Sequence, residues 1–433
     1  MLGIGFGIAI TVGNTIGAGI VRTPGEIATQ LPTAWLFMAV WVAGGIYALL
    51  GSISIAELGA MTPLSGGQYV FSRRAFGPFP GFIVGWSDWV SSCGTAAAVA
   101  LVAAEYTGLL LPALAPYEKR LAASTIIGFT LLNWAGIRWG DRTQQLTSLL
   151  KAAAYLAVVG ACFAFGGRAS VPADAGAAPA ALQLTGMLLA VQGVIYTYDG
   201  WTGPIYFSEE VRDPGRNIPR AVIGGALCVT AIYLLVNIAI LYVLPYSAVA
   251  GESLALATAA QAIFGPRGDT IVRAIIVVGM LSAINALLLM SPRVLYAVSR
   301  DGLGLRSATS VNEGGTPTVA LLLSAGVGML FLAETFAGAV AVLAFFFVAN
   351  YVFSFTALFV LRRREPGAPR PYRAWGYPWT TGIVLVGSIA FLIAAIQSDT
   401  RRSIYALLAL GVSYPAYLLL NRRRTDRVIK QAE

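Results

Sequence analysis

The chain has 433 residues, 57% of them hydrophobic and only 11% charged, against roughly 25% charged in soluble domains, so its composition is that of a protein dissolved in lipid. The absence of any histidine excludes His general bases, His metal ligands and a Ser-His-Asp triad. Three lysines, Lys119, Lys151 and Lys430, none preceded by Gly, leave no Walker A loop to cradle ATP.

Twelve apolar stretches long enough to cross a bilayer, which takes about 20 residues, follow one another along the chain. They cover residues 3 to 29, 33 to 56, 79 to 110, 121 to 138, 143 to 166, 182 to 209, 220 to 244, 270 to 299, 317 to 333, 336 to 361, 378 to 397 and 402 to 420. The stretch from Ser247 to Phe264 is expected as a short amphipathic helix outside the core. The N-terminus runs apolar from Met1 and Leu2 with no basic residue before Arg22, so it lacks the charged region of a signal peptide and reads as the start of a span. Cys93, Cys162 and Cys228 are odd in number and lie in apolar runs, which indicates neither a disulfide framework nor a zinc site.

The net charge of +9 would suggest anionic partners in a soluble protein, but here it follows the topology. Of the 29 Lys and Arg, 20 fall in the connections after even-numbered spans and in the tail, and 8 on the other side. The positive-inside rule then places both termini in the cytoplasm, in a multi-pass protein of the cytoplasmic membrane. The basic clusters Arg362 to Arg364 and Arg422 to Arg424 are read as topology determinants facing anionic lipid, not as a nucleic-acid surface.

Two spans are interrupted alike, the first by VGNTIGAG (12–19) and the sixth by YTYDGWTGP (196–204). Each opens a set of five, and five is odd, so the second set would repeat the first with inverted orientation. Matched Gly- or Pro-interrupted spans are the best pointer in a sequence to a transporter's midplane site. The expected divisions are a first repeat over 1–166, an inverted second repeat over 182–361, two further helices over 378–420 and a cytoplasmic tail over 421–433.

Irregular backbone inside a bilayer persists only where it lines a cavity or ligand site. Amides of Gly17, Ala18 and Gly19 at the start of a new helix suit a carboxylate. Carbonyls near Asn14 to Ile16 and Tyr196 to Asp199 suit an ammonium group. Together these describe the backbone of a free amino acid, and Tyr198 and Gly200 complete the expected lining.

The motifs GNTIGAGI (13–20), AELGAMTPLSGGQYVF (56–71), YDGWTGPIYFSEEVRDPGRNIPRA (198–221), SPRVLYAVSRDG (291–302) and RPYRAWGYPW (370–379) resemble those of the amino acid-polyamine-organocation transporter family, nearest its L-type branch and bacterial relatives. The resemblance implies an all-α LeuT-type fold, alternating access, and secondary transport of amino acids, by sodium-independent exchange or proton-coupled uptake, without a cofactor or an enzymatic step. It places Thr15, Ile16, Gly17, Ala18 and Gly19 on the loop that holds the substrate backbone, and Tyr196 on the aromatic that caps the substrate. It places Lys151 on the span 5 lysine that replaces a sodium site in sodium-independent members. The connection between spans 3 and 4 lacks the Cys by which animal relatives join a heavy chain, which favours a protein working without that subunit.

An ionisable residue inside a membrane is a functional candidate by default. Arg73, Arg74, Glu209, Glu210, Arg293 and Arg300 lie near span ends, where snorkelling or interfacial pairing explains them, and Glu57 and Glu105 are read as structural. Asp88 is open between a structural and a functional role. Lys151 either snorkels toward the cytoplasmic face or serves transport by exchanging a proton or a partner. Asp199 meets a substrate cation, carries a proton or pairs with a protein cation. No cluster fits a membrane enzyme, and a channel would show symmetry or charged rings. The alternative within transport is a polyamine or other organic cation, which would not need the Gly17 to Gly19 amides.

Overall fold

The computed structural model describes residues 2–168, 183–333, 336–398 and 400–432, and over them the chain is helical, with isolated bridges in place of strands. The helices in chain order are α1 (Ile4–Thr15), α2 (Ala18–Gln30), α3 (Ala34–Met61), α4 (Gln68–Phe76), α5 (Pro78–Leu110), α6 (Glu118–Trp134), α7 (Ile137–Phe165) and α8 (Leu184–Tyr198). There follow α9 (Pro214–Val243), α10 (Tyr246–Val249), α11 (Ala255–Phe264), α12 (Pro266–Arg300), α13 (Thr318–Phe331), α14 (Phe336–Arg364), α15 (Trp379–Ser398) and α16 (Thr400–Ala432). The first residue expected of the sixth span, 182, lies outside the described residues, as does 433 at the end of the tail.

Among the described residues eight helices are long and apolar enough to cross a membrane, and α1 with α2, bent by 45° at their break, make a ninth. At 17, 15 and 14 residues, α6, α8 and α13 are shorter than that. The expected short helix at 247–264 is present as α10 and α11, and α4 is a further short helix that the reading of spans passed over.

The sides of α7 show what solvates these helices. Its inner face carries Gly140, Gln144, Ser148, Lys151 and Tyr155, all buried, while Leu146, Leu149, Leu150 and Leu156 are exposed on its outer face. A water-soluble helix puts its apolar stripe inward; the reverse pattern is stable where the outer face meets hydrocarbon.

At the centre α5 packs against α12, and α3 against α9. Both short helices, α4 and α11, turn into a long one by the same device. Gly77 and Gly265 have φ of +96° and +65°, a region that favours glycine, and Pro78 and Pro266 occupy the first turn of the next helix, where a missing N–H costs no hydrogen bond. The charged residues near helix ends are paired as expected: Arg293 with Glu210 at 2.6 Å, Arg300 with Glu209 at 2.8 Å, Arg74 with Glu365, Arg73 with Asp301, and Arg22 with Glu105. Glu57 is fully buried and held by Arg362 and Arg370.

Candidate functional site

The first break falls where α1 ends at Thr15 and α2 begins at Ala18, capped by Gly17 without a side-chain cap, so the first amides of α2 face the gap. The second falls after Tyr198: Asp199 is extended, Gly200 has φ +115°, and a short 3-10 turn with Pro204 follows at Gly203–Phe207. A cavity between the breaks is lined by Asn14, Thr15, Gly17 and Gly19 from the first and by Tyr196, Thr197, Asp199 and Gly200 from the second. α5 adds Asp88 and Ser92, the 3-10 turn Tyr206, and α14 Phe347 and Tyr351.

Among the expected residues, Thr15, Gly17, Gly19, Tyr196, Asp199 and Gly200 therefore share one cavity. Ala18 is placed by its backbone alone. Ile16 and Tyr198 are turned away from it. The Ile16 side chain is buried in the core, and Tyr198 donates to the Trp41 carbonyl at 3.2 Å while packing on Trp41 and Tyr233. The reason is helical: on α8, Tyr196 and Tyr198 are two residues apart, about 200° around the axis, so only one can face the gap.

Lys151 stands behind the first break rather than in the cavity, fully buried, and does not snorkel. Its Nζ donates to the carbonyls of Gly13 at 3.0 Å and Ile16 at 2.5 Å. Tyr233 on α9, unremarked in the sequence, donates to Thr15 O at 2.7 Å and Thr197 O at 3.1 Å and so ties the two breaks together. Several carbonyls expected to meet a substrate ammonium thus already have a protein donor, and each retains its second lone pair.

The acceptors in the cavity are instead carboxylates. Asp199 accepts from Tyr351 Oη, whose ring is fixed by stacking on Trp201 at 5.0 Å. Asp88 takes the Tyr206 hydroxyl at 2.8 and 3.0 Å on its two oxygens. Two carboxylates and no Lys or Arg line the cavity among the described residues. Asp199 also takes a backbone hydrogen bond from Gly200 and Asp88 one from Gln68, so the partners of both carboxylates are neutral, and the arrangement can accept hydrogen bonds from a cation at one end and offer α2 amides to an anion at the other.

A buried polar set below Lys151 was also missed. Ser148 donates to Ala9 O at 2.7 Å, Asn285 to Gln144 at 2.9 Å, and Asn133 to Asn285 at 3.1 Å. Its signal was present in α7, where Gln144, Ser148 and Lys151 recur on one helical face.

The sequence model of the family described as Amino acid permease matches residues 7–413. The serine/threonine exchanger SteT of Bacillus subtilis is 27% identical over 435 residues, 98% of either chain. The b(0,+)-type amino acid transporter 1 of Homo sapiens is 29% identical over 314 residues, 70% of this chain and 63% of its own. The Asc-type amino acid transporter 1 of Mus musculus is 26% identical over 390 residues, 86% of this chain and 72% of its own.

Proposed function

The chain belongs to the amino acid permease family, and on that premise we propose that it moves free amino acids across the cytoplasmic membrane by alternating access, as a sodium-independent exchanger. The observation that carries this reading is the cavity between two broken helices, with uncapped amides at Gly17 on one side and carboxylate acceptors on the other. Exchange is favoured over proton symport by the full-length similarity to a protein named as an exchanger. A polyamine is not favoured, because the matched relatives are named for amino acids. Lys151 accounts for sodium independence by filling the space behind α1 with its own ammonium group. A heavy-chain subunit is not part of the proposal.

The architecture we propose is twelve spans in which α1–α2, α3, α5, α6 and α7 are repeated upside down by α8 with its 3-10 turn, α9, α12, α13 and α14. Packing supports it, because neighbours exchange in matched pairs. α5 meets α14 as α12 meets α7, α5 meets α6 as α12 meets α13, and α5 meets α13 as α12 meets α6. The connecting helices follow: α4 lies on α5 and α14, and α11 on α12 and α7. The tripeptide Phe-Gly-Pro ends both, at 76–78 and 264–266.

Uptake of labelled amino acids into proteoliposomes tests the function. Uptake is expected only when the lumen is loaded with an amino acid, and at equal rates with and without a sodium gradient. Uptake that requires sodium would overturn the role given to Lys151, and uptake into empty liposomes driven by a proton gradient would replace exchange with symport.

A further inference from the structure

A second cleft, about 890 Å³ in volume and sharing no lining residue with the first cavity, opens between the first turns of α9 and the connection at Pro371 and Tyr372. Arg216 and Arg220, four residues apart on α9, line it and are exposed, and neither has an ion pair among the described residues. Asp213 is the one carboxylate of the lining, and the exposed Arg212 and Arg373 adjoin it in sequence, so the cleft carries an excess of positive charge.

Its depth is marked independently. Trp375 and Trp379, just beyond Tyr372, are 75% and 78% exposed, and such tryptophans mark the headgroup level of a bilayer. Below the arginines the cleft continues over Ile223 and Gly224 into an exposed apolar stripe of Leu227, Leu235, Ile238 and Tyr242 on α9. Positions 220, 224, 227, 235, 238 and 242 fall on one helical face. Gly224 leaves open space there, since a Cβ would meet only Ile8, at 3.8 Å. Two unpaired guanidinium groups stand at the head of a greasy track, and a guanidinium fork matches a phosphate.

We propose that this cleft is a binding site for one anionic phospholipid, with its phosphate on Arg216 and Arg220 and an acyl chain running over Ile223 and Gly224 to Leu227, within the half of the bilayer that one lipid spans. The occupant is a lipid and not a dissolved anion, because the charged pocket and the apolar track are continuous.

The full-length protein in a neutral detergent, titrated with mixed micelles of dioleoylphosphatidylglycerol while its thermal unfolding midpoint is followed, tests the site. The midpoint is expected to rise and saturate with phosphatidylglycerol and to change little with dioleoylphosphatidylcholine or glycerol phosphate. Each of Arg216→Gln and Arg220→Gln should raise the half-saturating lipid concentration roughly fivefold, as the loss of one basic group near a lipid surface implies. The control pair Arg138→Gln and Arg142→Gln, on exposed positions at the start of α7, should leave it unchanged. An unaltered response in the Arg216 and Arg220 variants overturns the proposal, as does an equal loss in the control pair or a full response to glycerol phosphate. Should one of the two variants fail to fold, the other is read in its place.

Discussion

Gly17 and Gly200 border the same cavity under opposite constraints. A Cβ at Gly17 would meet only Thr15 O, at 3.9 Å, whereas at Gly200, with φ +115°, it would fall 2.9 Å from Asn14 and Thr15. Gly200→Ala is therefore expected to cost about 1–3 kcal/mol of stability. Gly17→Ala should unfold at the wild-type temperature and still slow uptake, because its methyl group occupies the substrate's approach to the α2 amides. A Gly17→Ala variant with normal transport would remove those amides from the site. At Asp199 the partners found are the neutral hydroxyl of Tyr351 and the backbone amide of Gly200, so a cationic substrate would be its first positive partner. Asp199→Asn is expected to weaken binding of lysine, arginine or ornithine at least tenfold more than that of alanine or leucine, by competition against a labelled substrate. Equal losses for both classes, or no cationic binding by the wild type, would leave Asp199 a structural or proton-handling group. These partners were not legible in the sequence. Asp88 and Tyr206 are 118 positions apart, Asp199 and Tyr351 152, and Thr15 and Tyr233 218; no periodicity couples such distances.

Elements were more legible than partners. Gly, Asp and Pro inside an apolar run announce a broken helix because each breaks the backbone pattern on its own, and α1–α2 and α8 break at those positions. α4 escaped notice because Gln68 to Phe76 is too polar and short to read as a span, although its Phe-Gly-Pro ending recurs at the end of α11. The end of the molecule where α4 lies is closed by contacts between elements. Glu210 and Glu209, after the 3-10 turn, pair with Arg293 and Arg300 of α12. Leu2 bridges alongside Val211, with Leu2 N donating to Glu210 O at 2.7 Å. The two ion pairs tie the segment 203–211 to α12. Glu210→Gln removes one charge from a mostly buried Arg293 and is expected to speed amide hydrogen exchange over 203–211 severalfold, with the α5 and α12 amides unchanged. Unaltered exchange in that segment would mean that packing, not the ion pair, keeps it shut.

At the scale of the whole molecule an apolar interior with polar groups set into it is enclosed by an exterior that is apolar as well, and the orientation of each helix decides which side of the membrane a connection meets. The short helices α6, α8 and α13 decide the number of spans, and the test of it is one of parity. Between Lys119 and Arg373 lie seven spans if all three cross, and four if none does, so the two positions face opposite sides in the first case and the same side in the second. Arg370, at first sight an equivalent probe, is ion-paired to the buried Glu57 and would report burial instead of sidedness, whereas Lys119 and Arg373 are exposed. In a background with Cys93, Cys162 and Cys228 replaced, Lys119→Cys should react with a membrane-impermeant maleimide from outside the cell. Arg373→Cys should react only after the membrane is opened. The excess of basic residues on the Arg373 side gives this direction. Reaction of both positions from one side would make the number of spans between them even, which breaks the five-plus-five repeat and with it the pairing of α1–α2 with α8.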